Sequence, residues 1–218
     1  KLFGQKPRIP EKDKITQFHM DIAASIQQVT EEIILKLALS IKNEYKIKNL
    51  CLAGGVALNC VANGKILDQA GFEKIWVQPA AGDAGSAVGC ALSYIYKHKK
   101  KVRLIDKRDS MKSSYLGPEF TNDIIQKYLD KLNIKYQKLD DPILTKKVSE
   151  YLIDGNIIGW FQGKMEYGPR ALCNRSIIGD PRIKEMQKRM NLKIKFRESF
   201  RPFAPVILEE DKEEYQGE

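Results

Sequence analysis

Between residues 14 and 46, Met20, Ala23, Ala24, Ile26, Val29, Ile33, Ile34, Leu37 and Ile41 recur at spacings of three and four. That is the period of one helix face, and it predicts a single long helix. The pattern then changes. KNLCLAGG reads as a short buried strand halted at Gly54 and Gly55, VALNCVANGKILDQ as a helix, and FEKIWVQP as a second strand ended by Pro79. AAGDAGSAVGCALSYIYKHKKK begins as a turn of small residues and becomes a helix, whose basic end suits the helix dipole. Strands alternating with helices predict an α/β layer.

KHKKKVRLIDKRDSMKSS breaks this order with a polar, charged run. The domain boundary is expected there, near residues 100 to 114, dividing the chain into 1–105 and 106–218. No aromatic interleaves its basic residues, so a linker fits better than an arm for single-stranded nucleic acid. TNDIIQKYLDKLN reads as a helix with Thr121 as N-cap, and LTKKVSEYLIDG as another with Gly155 at C′. NIIGWF is a strand leading straight into the loop QGKMEYGPRALCNRS. PRIKEMQKRMNLKI is helical, and FRESFRPFAP is a loop punctuated by prolines. The acidic end LEEDKEEYQGE reads as a surface helix or a frayed tail. No internal repeat is present.

The bulk numbers narrow the class. The 218 residues are 43% hydrophobic and 30% charged, ordinary for a globular protein. The longest apolar run is far too short for a membrane span, and no secretory signal opens the chain. A cytoplasmic protein is expected, and the polar, Met-less opening KLFGQKPRIP fits a piece of a longer one. Cys51, Cys60, Cys90 and Cys173 each sit among apolar or small residues, which predicts buried thiols in a reducing compartment. Zinc is not expected, since His19 and His98 are the only histidines and neither is near a cysteine in sequence. The net charge is +9, and residues 159 to 205 hold eleven Lys and Arg against four Asp and Glu, a surplus of +7. Such a cluster suggests a nucleic acid, a nucleotide or a small phosphate. Lys184, Lys188, Arg189, Lys193 and Lys195 read as its solvated face.

Three stretches carry candidate chemistry. In LAGGVALN a strand ends in Gly54 and Gly55 and a helix starts at once, so backbone N–H groups can meet a phosphate, with Val56 beside them and Asn59 as a donor. A tight structural turn is the plainer reading, and neither a P-loop nor a Rossmann pattern is matched. In AAGDAGSAVGCA, Asp83 is the only charged residue, next to Gly82. It either caps the helix or ligates a metal or nucleotide, and from the residues alone the cap is favoured. In EYGPRALCNRSIIGDPR, Tyr167-Gly168-Pro169 aim Arg170, while Asn174 and Ser176 add neutral donors beside Arg175. Arg201 sits rigidly in SFRPFAP. Arginine forks grip phosphate through two parallel bonds, and Glu166 is expected to pair with one of them and leave the others for a ligand. The plainer reading is a buried Arg–Glu network. Arg182, in DPR, reads as an exposed turn.

Taken together, DIAASIQ, LCLAGGVALNCVANGKI, QPAAGDAGSAVGCAL, YLGPEF, GWFQGKMEYGPRALCNRSIIGDPR and FRESFRPFAPVI resemble the carbamoyltransferase family of nodulation-factor, tobramycin and cephamycin O-carbamoyltransferases, in the family's order. The resemblance implies the second lobe of an actin/Hsp70/sugar-kinase-like (ribonuclease H-like) transferase domain, then a YrdC-like α/β domain, incomplete here. It implies carbamoyl phosphate and ATP as substrates, a carbamoyladenylate formed in the YrdC-like part, and transfer to a hydroxyl of a small-molecule acceptor in the first. Gly54, Gly55, Val56, Asn59 and Gly82 match the nucleotide-binding turns, and Asp83 matches a ligand of iron or another transition metal, which reverses the cap reading. The family's other metal ligands are histidines in H-x-x-x-H, absent from this sequence, so the chain alone is expected to be inactive in transfer. Arg170, Asn174, Arg175, Ser176 and Arg201 are assigned to carbamoyl phosphate and the adenylate. Position 173 is glycine in the family's motif and cysteine here, a strained choice wherever the backbone needs a positive φ. Neither a nucleic acid nor a membrane is expected as partner. A nucleic-acid-binding module built on the basic half and a sugar-kinase-type phosphotransferase built on GGV are the competing readings.

Overall fold

The computed structural model describes residues 2–10, 12–104, 111–211 and 214, in two units, residues 1–109 and 110–218. Residues 105–110, in the expected linker, lie outside the described residues. In the first unit, helix α1 (Gln17–Tyr45) accounts for the long periodic stretch. Strands β1 (Asn49–Leu52) and β2 (Lys74–Val77) pair in parallel, Leu50 opposite Ile75 and Leu52 opposite Val77. Parallel strands need a crossover, and helix α2 (Cys60–Gln69) lies in it. Along β1 the side chains alternate, so Leu50 is buried and Cys51 exposed. Ala38 of α1, Leu50, and Ile66 and Ala70 of α2 form the core with Phe72, and Ile34, Leu35, Leu39, Leu52 and Ile75 pack around them. Ile66 is fully buried; enclosing a side chain of that size stabilises by about 1.5–3 kcal/mol. Polar groups also join α1 to α2. Asn59 Nδ2 donates to Gln27 Oε1 at 2.9 Å, and the buried Glu31 takes the Lys65 ammonium. After β2 the chain turns into α3 (Gly85–Ser93), which continues as one π turn, Tyr94–His98.

The buried-thiol expectation fails. Cys51, Cys60 and Cys90 are exposed and Cys173 is half-buried, all as free thiols. Their apolar neighbours Leu50 and Ala62 do bury, but strand alternation and the first turn of α2 direct Cys51 and Cys60 away from that core.

In the second unit, α4 (Asn122–Lys131) starts at Thr121, whose Oγ1 accepts from the Ile124 N–H at 3.4 Å. Helix α5 (Asp141–Ile153) begins earlier than its apolar pattern, with proline in its first turn, where no N–H is required. It ends at Asp154, followed by Gly155. Strand β3 (Ile158–Phe161) then pairs antiparallel with β4 (Arg175–Ile178), Ile158 opposite Ile178 and Phe161 opposite Arg175. β4 has no sequence signature of its own; RSII is too short, and its partner makes it a strand. The helix expected over 181–194 is confined to α6 (Met186–Arg189) and a π turn, Met190–Ile194. Met186, Met190 and Asn191 from this segment are buried. Of the acidic end, residues 209–211 form a 3₁₀ turn; 212, 213 and 215–218 lie outside the described residues. Among the described residues no helix is long and apolar enough to cross a membrane.

Candidate functional site

Each unit contains one group of candidate residues. In the first, the parallel pairing places the C-terminal ends of β1 and β2 side by side, so the turns that follow them meet. The Gly54 N–H donates to the Ala81 carbonyl at 2.7 Å. A Cβ on Gly82 would lie 4.0 Å from Gly55 Cα. Gly54, Gly55, Gly82 and Asp83 are thereby gathered at the carboxyl ends of the strands, where open α/β sheets bind ligands. Gly54 has φ 102°, which an L side chain rarely adopts. Gly85 is required for space: a Cβ there would sit 2.1 Å from the Ala80 carbonyl oxygen. Val56 is exposed in a 3₁₀ turn, Gly55–Leu58, that precedes α2.

Asn59 is engaged within the fold. Its Oδ1 caps α2 by accepting from the Ala62 N–H at 3.1 Å, and its amide is paired with Gln27. Asp83 is the reverse. It is exposed, α3 has no side-chain cap, and the carboxylate makes no hydrogen bond or ion pair among the described residues. The helix-cap reading therefore does not hold. As a metal site the residues are insufficient by themselves: among the described residues no three His, Cys, Asp or Glu come together, and Asp83 supplies a single carboxylate.

In the second unit, the arginine-rich stretch is the long loop of the β3–β4 hairpin. Gln162 N–H donates to the Asn174 carbonyl at 3.0 Å and extends the ladder beyond the strands. The loop then folds around an anion of its own. Glu166 is only 6% exposed, and its Oε1 accepts from the N–H groups of Leu172 (2.7 Å), Asn174 (2.8 Å) and Arg175 (3.3 Å). Burial pushes the Glu166 carboxyl up, but hydrogen bonds from its own amide and from those three outweigh it and hold it below the ordinary value. The expected Glu166–arginine pair is absent among the described residues; backbone amides are its partners.

Cys173 has φ 76°, the left-handed conformation in which cysteine is strained, and its N–H donates to Ser176 Oγ at 3.0 Å. The Asn174 side chain is likewise employed, Nδ2 donating to Lys164 O at 2.7 Å and Oδ1 accepting from Gln162 Nε2 at 3.2 Å. Arg175 faces Phe161 across the sheet, and its guanidinium lies 3.5 Å from the centre of that ring. Its Nη1 donates to the carbonyls of Gln162 (2.6 Å) and Asn174 (2.8 Å), its Nη2 to those of Gly163 (3.1 Å) and Pro118 (3.4 Å). Both Nη groups are thus engaged in holding the loop together. Arg170 is different: it is exposed and makes no hydrogen bond or ion pair among the described residues.

Arg201 lies in a separate loop. Its Nε pairs with Glu198 at 2.7 Å, and no hydrogen bond joins it to the 166–176 stretch among the described residues. The fully buried Asn191 organises that loop, donating to the carbonyls of Ser199 (3.0 Å) and Arg201 (2.7 Å) and accepting from Arg197 Nε (2.6 Å). Gln187 Nε2 adds a bond to the Arg201 carbonyl at 3.1 Å. Arg182 is held by Asp180 through Nε and Nη2, which keeps the Asp180 carboxyl below its ordinary range. Asn191, Gln187 and Tyr115, whose hydroxyl donates to the Leu172 carbonyl at 2.6 Å, carry no signal in the sequence. Glu166 had one: a lone acid among turn residues in a basic stretch.

Residues 1–92 match the family description "Carbamoyltransferase N-terminus", and residues 149–218 match "Carbamoyltransferase C-terminus". The chain belongs to the carbamoyltransferase family. The two matches cover both groups of candidate residues. An uncharacterized protein of Synechocystis sp. is 55% identical over 216 residues, 98% of this chain and 35% of the relative. Nodulation protein NolO of Bradyrhizobium diazoefficiens is 40% identical over 205 residues, 92% of this chain and 36% of the relative. Nodulation protein U of Rhizobium tropici is 32% identical over 163 residues, 75% of this chain and 26% of the relative. The chain thus spans about a third of the length of the curated relatives it matches.

Proposed function

We propose that the chain is part of an O-carbamoyltransferase that uses carbamoyl phosphate and ATP through a carbamoyladenylate and delivers the carbamoyl group to a hydroxyl of a small-molecule acceptor. In this reading the first unit is the second lobe of an actin/Hsp70/sugar-kinase-like domain. The second unit belongs to a YrdC-like domain. The observation that carries the reading is the match to both ends of the family in one short chain. The guanidinium of Arg170, exposed and without a hydrogen bond or ion pair among the described residues, supports a site for the anionic donor. It is a planar, permanently charged fork, so it can hold phosphate without a proton step. Arg175, Asn174 and Ser176 shape the loop around it, and Arg201 would join only if its own loop approaches. The facing turns of Gly54, Gly55 and Gly82 support a nucleotide at the strand ends, with Val56 beside it. A transition metal, iron included, would take Asp83 as one ligand and draw the rest from parts of the relatives that this chain does not cover.

Calorimetric titration of the chain with carbamoyl phosphate tests the donor site. Arg170→Ala should weaken binding by roughly ten- to a hundredfold, the scale of a lost charge-assisted pair. Affinity unchanged in that variant, or no binding by the parent chain, refutes the assignment.

A further inference from the structure

We propose that Glu166 is a positioning residue for Arg170: it closes the loop that presents this guanidinium to carbamoyl phosphate. The inference rests on the donor site proposed above. Arg170 lies within five residues, YGPRA at 167–171, that are pinned at both ends. At the entry, the Tyr167 N–H donates to the Ser114 carbonyl at 2.7 Å. At the exit, the Leu172 N–H donates to Glu166 Oε1 at 2.7 Å, and the Leu172 carbonyl accepts from the Tyr115 hydroxyl at 2.6 Å. The amides of Asn174 and Arg175 reach the same Glu166 oxygen, at 2.8 and 3.3 Å.

Convergence of these amides on one atom follows from the left-handed turn at Cys173, φ 76°. N–H groups gathered by a turn make a concave nest suited to an anion. Glu166 fills that nest from within the chain. The nest is therefore not available to a phosphate. Among the described residues of the loop the cationic side chains without a hydrogen bond or ion pair are Lys164 and Arg170, and Arg170 is the one within the pinned stretch 167–171. Glu166 and the donor are both anions, so Glu166 has no favourable contact to offer the ligand; its effect runs through the backbone to Arg170. A loop ordered beforehand loses less conformational freedom when its arginine is engaged, which strengthens binding.

The test is a double-mutant cycle on the 218-residue chain, with carbamoyl phosphate as titrant and circular dichroism as the check on folding. Glu166→Gln keeps the shape and removes the charge; it should weaken binding about five- to tenfold, the scale of a charged hydrogen bond made neutral. Tyr115→Phe, which releases the Leu172 carbonyl at little cost to packing, should weaken it about threefold. In an Arg170→Ala background either change should alter affinity by less than about twofold, because the route runs through Arg170. A general loss of structure would give losses that persist in that background, and this overturns the inference. If Arg170→Ala weakens binding while Glu166→Gln and Tyr115→Phe do not, the positioning role alone falls. If Arg170→Ala has no effect, the donor site falls and the inference with it. Should Glu166→Gln fail to fold, Tyr115→Phe decides.

Discussion

Replacing Cys173 by glycine should stabilise this protein, although it deletes a half-buried side chain. The backbone there has φ 76°, and it must, since that conformation turns the Leu172, Asn174 and Arg175 amides onto Glu166. The left-handed conformation penalises an L residue by about 1–2 kcal/mol through the clash of Cβ with the following carbonyl oxygen. Glycine escapes that clash but loses more freedom on folding, which takes back about 0.5–1 kcal/mol. A net gain of about 0–1.5 kcal/mol remains, centred on roughly 0.75. The unit spanning residues 110–218 is about the size for which such a gain raises the melting temperature by roughly 2–6 °C. The assay is thermal unfolding of the parent, Cys173→Gly and Cys173→Ala. Alanine keeps Cβ, so it should stay within about 0.5 kcal/mol of the parent. A glycine variant that melts at or below the parent temperature refutes the reasoning. An equal rise in the alanine variant assigns the effect to the thiol and refutes it as well.

Gly85→Ala should destabilise the first unit by about 1–3 kcal/mol, because its Cβ would meet the Ala80 oxygen. That Cβ would lie at 2.1 Å, whereas one on Gly82 would have its nearest neighbour at 4.0 Å, so Gly82→Ala serves as the mild control in the same melts. Ile66→Ala empties a fully buried position and should lower unfolding free energy by about 2–5 kcal/mol in urea titrations; a loss under about 1 kcal/mol would mean that the α2–sheet core is wrongly described. Acid should weaken the second unit. The Glu166 and Asp180 carboxyls are held below their ordinary values of 4.5 and 3.8, so their contribution is complete above those values and lost as pH falls through the lower folded ones. Denaturation midpoints should fall below about pH 4.5 and Glu166→Gln should flatten the decline; an equally steep decline in that variant would show that other carboxylates cause it.

Helices α1 to α5 and strands β1, β2 and β3 are legible in the chain because their causes are local, whereas the helix expected over 181–194 shrinks to Met186–Arg189 and a π turn. Apolar spacing announces α1 as a helix but not its buried side: Met20, Ile26, Val29, Ile33, Leu37 and Ile41 are exposed, and Ile34, Leu35, Ala38 and Leu39 meet the core. Thr121 caps α4, and glycines follow β1. Family membership is equally legible, since motifs are strings and their order is the evidence. The partners of polar groups are not. Tyr115 and Leu172 are 57 positions apart, and nothing in either neighbourhood announces their bond. RSII becomes a strand only because β3 lies beside it, and the same pairing sets the Arg175 guanidinium over Phe161. From its residue type Arg175 was a phosphate ligand; the fold surrounds it with four carbonyls instead. Glu166 had the opposite history, expected to meet an arginine and found among amides. Asp83 could cap or ligate, and only the folded chain shows that its carboxylate does not cap α3. The physical reason is common to all of these. Residue type and spacing determine which bonds a side chain is able to make, and burial and geometry in the folded chain determine which of them it makes.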